Sequence, residues 1–122
     1  MGMEIATRQS EQVARYLDLA STEVRVTAAN MANIDTPGYH AVGLEFEAEM
    51  REAMADVDQG RPARQPRIHA VDGLVARPDG NDVSMDRESL NLAEAQLKFK
   101  TGVALLRGEY QQILDAIHAA DK

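Results

Sequence analysis

A chain of 122 residues has room for one small domain or one extended subunit, and five aromatics (Tyr16, Tyr39, Phe46, Phe99, Tyr110) with no tryptophan leave few anchors for a globular core. The net charge of −7 is a poor match for a phosphate backbone and argues against a nucleic-acid partner. With no cysteine, disulfides, thiolate catalysis and cysteine-based zinc sites are excluded.

The start, Met1-Gly2-Met3-Glu4, has no basic region, apolar core or cleavage site, so no Sec-type signal is expected. No apolar run approaches membrane-spanning length. From about Thr7 to Asn33 the chain reads as one helix of roughly 40 Å at 1.5 Å per residue. Val13, Leu17, Ala20, Val24, Thr27, Met31 and Ile34 follow alternating steps of four and three, the seam pattern of a coiled coil.

That helix is expected to stop in Ala29-Asn30-Met31-Ala32-Asn33-Ile34-Asp35-Thr36-Pro37-Gly38-Tyr39. Asn33 is suited to terminate it in a left-handed conformation. Pro37 fixes its own φ and moves Thr36 out of the helical region, while Gly38 accepts the positive φ that a type II turn needs at its third residue.

Phe46, Met50, Ala53, Met54 and Val57 fit one face of a short helix from about Leu44 to Asp58, ended by Gly60 and Pro62. Residues 60–84 carry prolines and the turn pairs Asp72-Gly73 and Asp79-Gly80, which predicts a mostly irregular segment with at most one weak hairpin. Charge is uneven here. Six acids stand against Arg51 in residues 41–60, and Arg61, Arg64, Arg67 and Arg77 against Asp72 in residues 61–78. Solvated loop surface and charge matching between subunits both account for this.

The last predicted helix runs from about Asp86, as N-cap, to Ala120. Leu92, Gln96, Phe99, Val103, Leu106, Tyr110, Ile113 and Ile117 again step by four and three. Gly102 and Gly108 each cost about 1 kcal/mol relative to alanine inside a helix. They mark either close approach of a neighbouring helix or a local kink.

Little here suggests chemistry. His40, His69 and His118 lie in different segments and read as surface or turn residues. Asp79, Asn81, Asp82, Ser84 and Asp86 are rich in oxygen, but Val83 and Leu90 occupy positions where an EF-hand needs ligands. A turn followed by a helix cap explains them. No phosphate-binding loop, nucleophile elbow or metalloprotease motif is present, so neither an enzyme, a cofactor nor a small-molecule substrate is expected. The fold class expected is all-α, with long terminal helices paired as a coiled-coil-like hairpin. The segments are 1–40, 41–84 and 85–122, together one domain. A two-helix unit is too small to be robust alone, so further burial must come from other copies or other proteins.

The run Asn30-x-Ala32-Asn33-x-x-Thr36-Pro37-Gly38-Tyr39 resembles the motif of the bacterial flagellar rod and hook axial proteins. Within them, Val83-Ser84-Met85-Asp86-Arg87-Glu88, followed by Ala93 and Leu97-Lys98-Phe99, resembles the short proximal-rod members. The resemblance implies a structural subunit of the flagellar basal body, its terminal helices stacked into a helical tube that transmits torque from the MS ring to the distal rod. It assigns Asn30, Asn33, Asp35, Thr36, Pro37, Gly38 and Tyr39 to the turn motif. Val13, Leu17, Val24, Met31, Leu92, Phe99, Val103, Leu106, Tyr110, Ile113 and Ile117 become packing or assembly residues. The implied partners are copies of itself, other rod proteins (FlgC and FlgF-like), the adaptor FliE, the MS ring and the flagellar type III export gate. It also implies a place in the periplasmic rod, reached by type III export without a cleaved signal peptide. Phe46 and Met50 resemble a short element that docks on that gate, although any amphipathic helix offers the same spacing. A cytoplasmic helical adaptor or regulator is the alternative, for which the turn motif has no evident use.

Overall fold

The computed structural model describes residues 2–121, with side chains from residue 7. Three helices and one small strand pair follow in the order α1 (Gly2–Ala32), β1 (Val42–Gly43), α2 (Phe46–Asp58), β2 (His69–Ala70) and α3 (Met85–Ala120). Ser10 meets Glu109, Leu17 lies against Gly102, and Glu23 binds Lys98. As one helix advances the other recedes, so α1 and α3 form an antiparallel hairpin.

The face that α3 turns to α1 is not its apolar stripe. Its buried residues are Glu88, Ala95, Gly102 and Glu109, seven apart, while Phe99 is 42% and Leu106 44% exposed. Two small residues at the centre let the backbones approach. A Cβ at Gly102 would lie 2.5 Å from Leu17 Cδ2 and 3.0 Å from a Tyr16 ring carbon, so this glycine marks close approach. Gly108 has open space at its Cα and no such role. The carboxylates at either end each take one partner, Glu88 its neighbour Arg87 at 2.8 Å and Glu109 the Ser10 hydroxyl of α1 at 3.0 Å.

α1 is buried on two adjoining sides. Ala20 and Thr27 belong to the expected stripe and are buried, but so are Leu19, Thr22, Val26 and Asn30. Leu19 and Thr22 border α2. Phe46 opens α2 and joins all three helices: its ring meets Tyr16 edge-on at 5.7 Å, and Lys98 Nζ stands 4.0 Å above it. Lys98 also binds Glu23 at 3.0 Å.

The uneven charge is paired within the chain, on a loop surface whose arginines stay solvated. After Gly60, at φ +67°, an extended strap runs back along α2 and fastens to it. Asp56, whose side chain is 3% exposed, takes Arg61 at 2.7 Å and Arg64 at 3.0 Å. Glu49 accepts from the Arg67 guanidinium at 3.1 Å and from its backbone N–H at 3.0 Å, and Glu52 takes the same guanidinium at 2.6 Å. The strap then supplies β2, which pairs antiparallel with β1, Val42 opposite Ala70. Pairing is therefore between distant segments; no local hairpin forms at Asp72-Gly73. Two further expectations are corrected: the N-cap of α3 is Ser84, whose side chain accepts from the Arg87 N–H, in place of Asp86, and α1 begins earlier than Thr7, at Gly2. Residues 1 and 122 of the expected segment bounds lie outside the described residues.

Candidate functional site: a locked turn and an uncovered helix face

The end of α1 leaves carbonyls without helical partners. Among the described residues no non-glycine residue has positive φ, so Asn33 does not end the helix in the left-handed conformation expected of it. It uses its side chain: Nδ2 donates to the Ala29 carbonyl at 2.8 Å, and Oδ1 accepts from the Thr36 hydroxyl at 3.0 Å. The type II turn forms as its residues require. The Tyr39 N–H donates to the Thr36 carbonyl at 3.2 Å, and Gly38 sits at φ +75°. A Cβ there would meet nothing within 4 Å, so glycine is required by backbone conformation alone. Asp35 and Pro37 are exposed on the outside of the turn.

Asn30 is 1% exposed and behaves as a fragment of strand. Its Nδ2 donates to the Val42 carbonyl at 2.8 Å and its Oδ1 accepts the Val42 N–H at 3.0 Å, completing the edge of β1 that β2 does not reach. The same oxygen accepts from the Tyr39 hydroxyl at 3.1 Å. Burial, with Glu88 close by, raises the tyrosine's pKa above its ordinary value, so it stays a donor at neutral pH.

A second carboxamide closes the turn from the far side of the chain. Asn81 is 0% exposed, and its Nδ2 donates to the carbonyls of Asn33 at 2.9 Å and Thr36 at 2.8 Å. Its Oδ1 accepts the Val83 N–H at 2.8 Å. Around it, Gly38 N–H donates to the Asp79 carbonyl at 2.8 Å, Arg77 reaches the Ile34 carbonyl, and Asp82 accepts the Ala41 N–H at 2.6 Å. These bonds employ the oxygen-rich residues before α3. The Ala41 amide holds the Asp82 carboxyl below its usual range, and the Asn81 amide does the same for Asp79. Sequence reading missed Asn81 because its partners are 48 and 45 residues away.

The other feature is apolar. Lys98 reaches towards α2 and Glu23, so its flank of α3 is the one on the α2 side. Phe99, Leu106, Tyr110, Ile113 and Ile117 lie roughly 60–120° around the helix from it, at 100° per residue, on the flank turned away from α2. Val13, Leu17, Val24 and Met31 of α1 are all half-buried, and Leu17 lies in the contact with α3, against Gly102. The five exposed residues of α3 make one apolar face on the open side of the hairpin. Leu92 and Val103 are half-buried at its margin. Met50, on α2, is half-buried and apart from this face.

A family model described as "Flagella basal body rod protein" matches residues 17–40, the second half of α1 and the turn. The chain is 30% identical to the flagellar basal body rod protein FlgB of Salmonella typhimurium, over 86% of this chain and 89% of that one. It is 30% identical to FlgB of Yersinia ruckeri over 83% and 87%, and to FlgB of Cereibacter sphaeroides over 85% and 89%. With the locked turn at the matched residues and relatives that span nearly its whole length, the chain belongs to the FlgB family of flagellar basal body rod proteins.

Proposed function

We propose that the open apolar face of the α1–α3 hairpin is the surface by which this structural rod subunit is built in among its neighbours. One observation carries the reading: Phe99, Leu106, Tyr110, Ile113 and Ile117 are between 40% and 62% exposed along one flank of a helix. Covering an apolar side chain fully contributes about 1.5–3 kcal/mol, so five half-covered ones are a substantial store of association energy. Contacts of this kind between copies need not close into a ring, and repeated they generate a helical tube.

In this reading the neighbours are copies of the chain and other rod proteins, FlgC and FlgF-like, with the adaptor FliE and the MS ring at the base. The subunit passes torque from ring to distal rod through packed helices, without chemistry of its own. Its place is the periplasmic rod, reached through the type III export gate without a cleaved signal. Docking of Phe46 and Met50 on that gate would precede folding, since Phe46 is engaged by Tyr16 and Lys98 in the folded subunit.

Leu106→Asp and Lys100→Asp separate the face from the rest of α3. The first puts a carboxylate into the interface at a cost of several kcal/mol, about enough to stop assembly, while Lys100 lies off the apolar stripe. At equal expression and export, the Leu106→Asp strain is expected to be non-motile and the Lys100→Asp strain motile. Equal motility of the two would refute the packing reading.

A further inference from the structure

The turn of α1 and the start of α3 are joined by a side chain that serves both. Asn81 stands three residues before the N-cap Ser84, and its Oδ1 holds the Val83 N–H that leads into that cap. Its Nδ2 donates both protons into the turn, to Asn33 and Thr36. The Thr36 carbonyl it holds also closes the type II turn through Tyr39. A buried carboxamide with both donors and its acceptor satisfied is costly to replace, because removing it leaves backbone groups open in a site closed to water.

Its neighbours fit the same construction. Gly80, at φ +85°, brings the backbone so close that a Cβ would lie 3.3 Å from Gly38 Cα. Two positive-φ glycines thus stand back to back, and Gly38 N–H crosses to the Asp79 carbonyl. The Arg77 N–H to Asn81 carbonyl and Gly80 N–H to Arg77 carbonyl bonds, both 2.8 Å, hold the approaching loop in shape.

We propose that Asn81 is the positioning residue of the turn: it fixes the direction in which the chain leaves α1, and does so only when the lead into α3 is in place. Turn geometry and helix pairing are then set together, so that a subunit with a misplaced α3 does not present a finished turn. The consequence for the rod rests on the reading above. The joint itself is a property of the single chain.

Asn81→Asp tests it in the full-length protein. The substitution keeps the acceptor for Val83 and replaces the two donors with an oxygen facing two carbonyls. Amide hydrogen exchange of Gly38 and Tyr39 is expected to quicken by roughly tenfold or more, while amides between Ala95 and Gly102 change by no more than about twofold. Gly80→Ala, which leaves the carboxamide intact, is expected to quicken the same two amides. In the unaltered protein, both Nδ2 protons of Asn81 should exchange far more slowly than those of exposed Gln112, a reading that needs no variant to fold. The proposal is overturned if Gly38 and Tyr39 keep their protection in Asn81→Asp, if every amide of both helices quickens equally, or if the Asn81 Nδ2 protons exchange as fast as those of Gln112.

Discussion

At the turn end of the hairpin, the polar groups that a helix terminus leaves open are taken up by the chain's own side chains, with Asn30, Asn33 and Asn81 each serving more than one partner. Along the outer half of α3, by contrast, Phe99, Leu106, Tyr110, Ile113 and Ile117 remain exposed. The first region is complete in one subunit. In the proposed reading the second is completed by neighbouring subunits, and a helical assembly would need both: a shape fixed before contact, and surface left over to make it.

The sharpest way to strain the comparison is to damage the finished end. Asn30→Ala removes the partners of both Val42 backbone groups and of the Tyr39 hydroxyl, so it should cost about 2–4 kcal/mol. Urea unfolding of the purified chain would read this. A loss below about 0.5 kcal/mol would mean that water replaces the side chain and that the turn end is not sealed.

The middle of the hairpin lies between the two extremes, and its two glycines should separate. Gly102→Val drives atoms into Leu17 and Tyr16 and is expected to cost about 1–3 kcal/mol. Gly108→Ala meets nothing within 4 Å and should stabilise by about 0.5–1 kcal/mol through helix propensity. Equal effects in thermal unfolding would place the α1–α3 contact elsewhere on the helix.

Sequence carried the local half of this architecture. Thr36-Pro37-Gly38-Tyr39 folds as its own residues dictate, because a proline-fixed φ and a glycine at positive φ act within four residues. Hydrophobic periodicity found both long helices, but on α3 it reported the apolar stripe as the seam. The face that meets α1 is narrow and small, Ala95 and Gly102 between two glutamates, and close approach leaves no apolar signal in a sequence. Asn81 and the arginine strap were illegible for another reason. Their partners are distant along the chain, and a single sequence does not report such pairings.

Solution conditions offer a smaller effect that divides the strap from the turn. Arg64 holds the Asp56 carboxyl below its ordinary value, and Arg67 does so for Glu52, as the Ala41 amide does for Asp82. A depressed folded pKa contributes stability that is fully present above the unfolded value. Stability should therefore be flat near neutrality and fall as pH drops below about 4, with strap and turn both loosening. Salt should loosen the strap more than the turn, since the strap is held by half-exposed, screened guanidiniums whereas most bonds of the turn are made by neutral carboxamide and backbone groups. Trypsin cleavage after Arg64 and Arg67 in about 1 M salt, set beside amide exchange at Tyr39, would read the two separately. Parallel loosening of both under salt would erase the distinction.

The most direct test follows from the chain's lack of native cysteine, which makes single introduced thiols clean reporters. Leu106→Cys probes the open face and Ala95→Cys the buried contact with α1, each challenged with a maleimide in the free subunit and in isolated basal bodies. The account predicts that the thiol at position 106 reacts readily in the free subunit and is protected in the basal body, while the thiol at position 95 is protected in both. A thiol at position 106 that is protected in the free subunit, or equally reactive in the assembled rod, would contradict it.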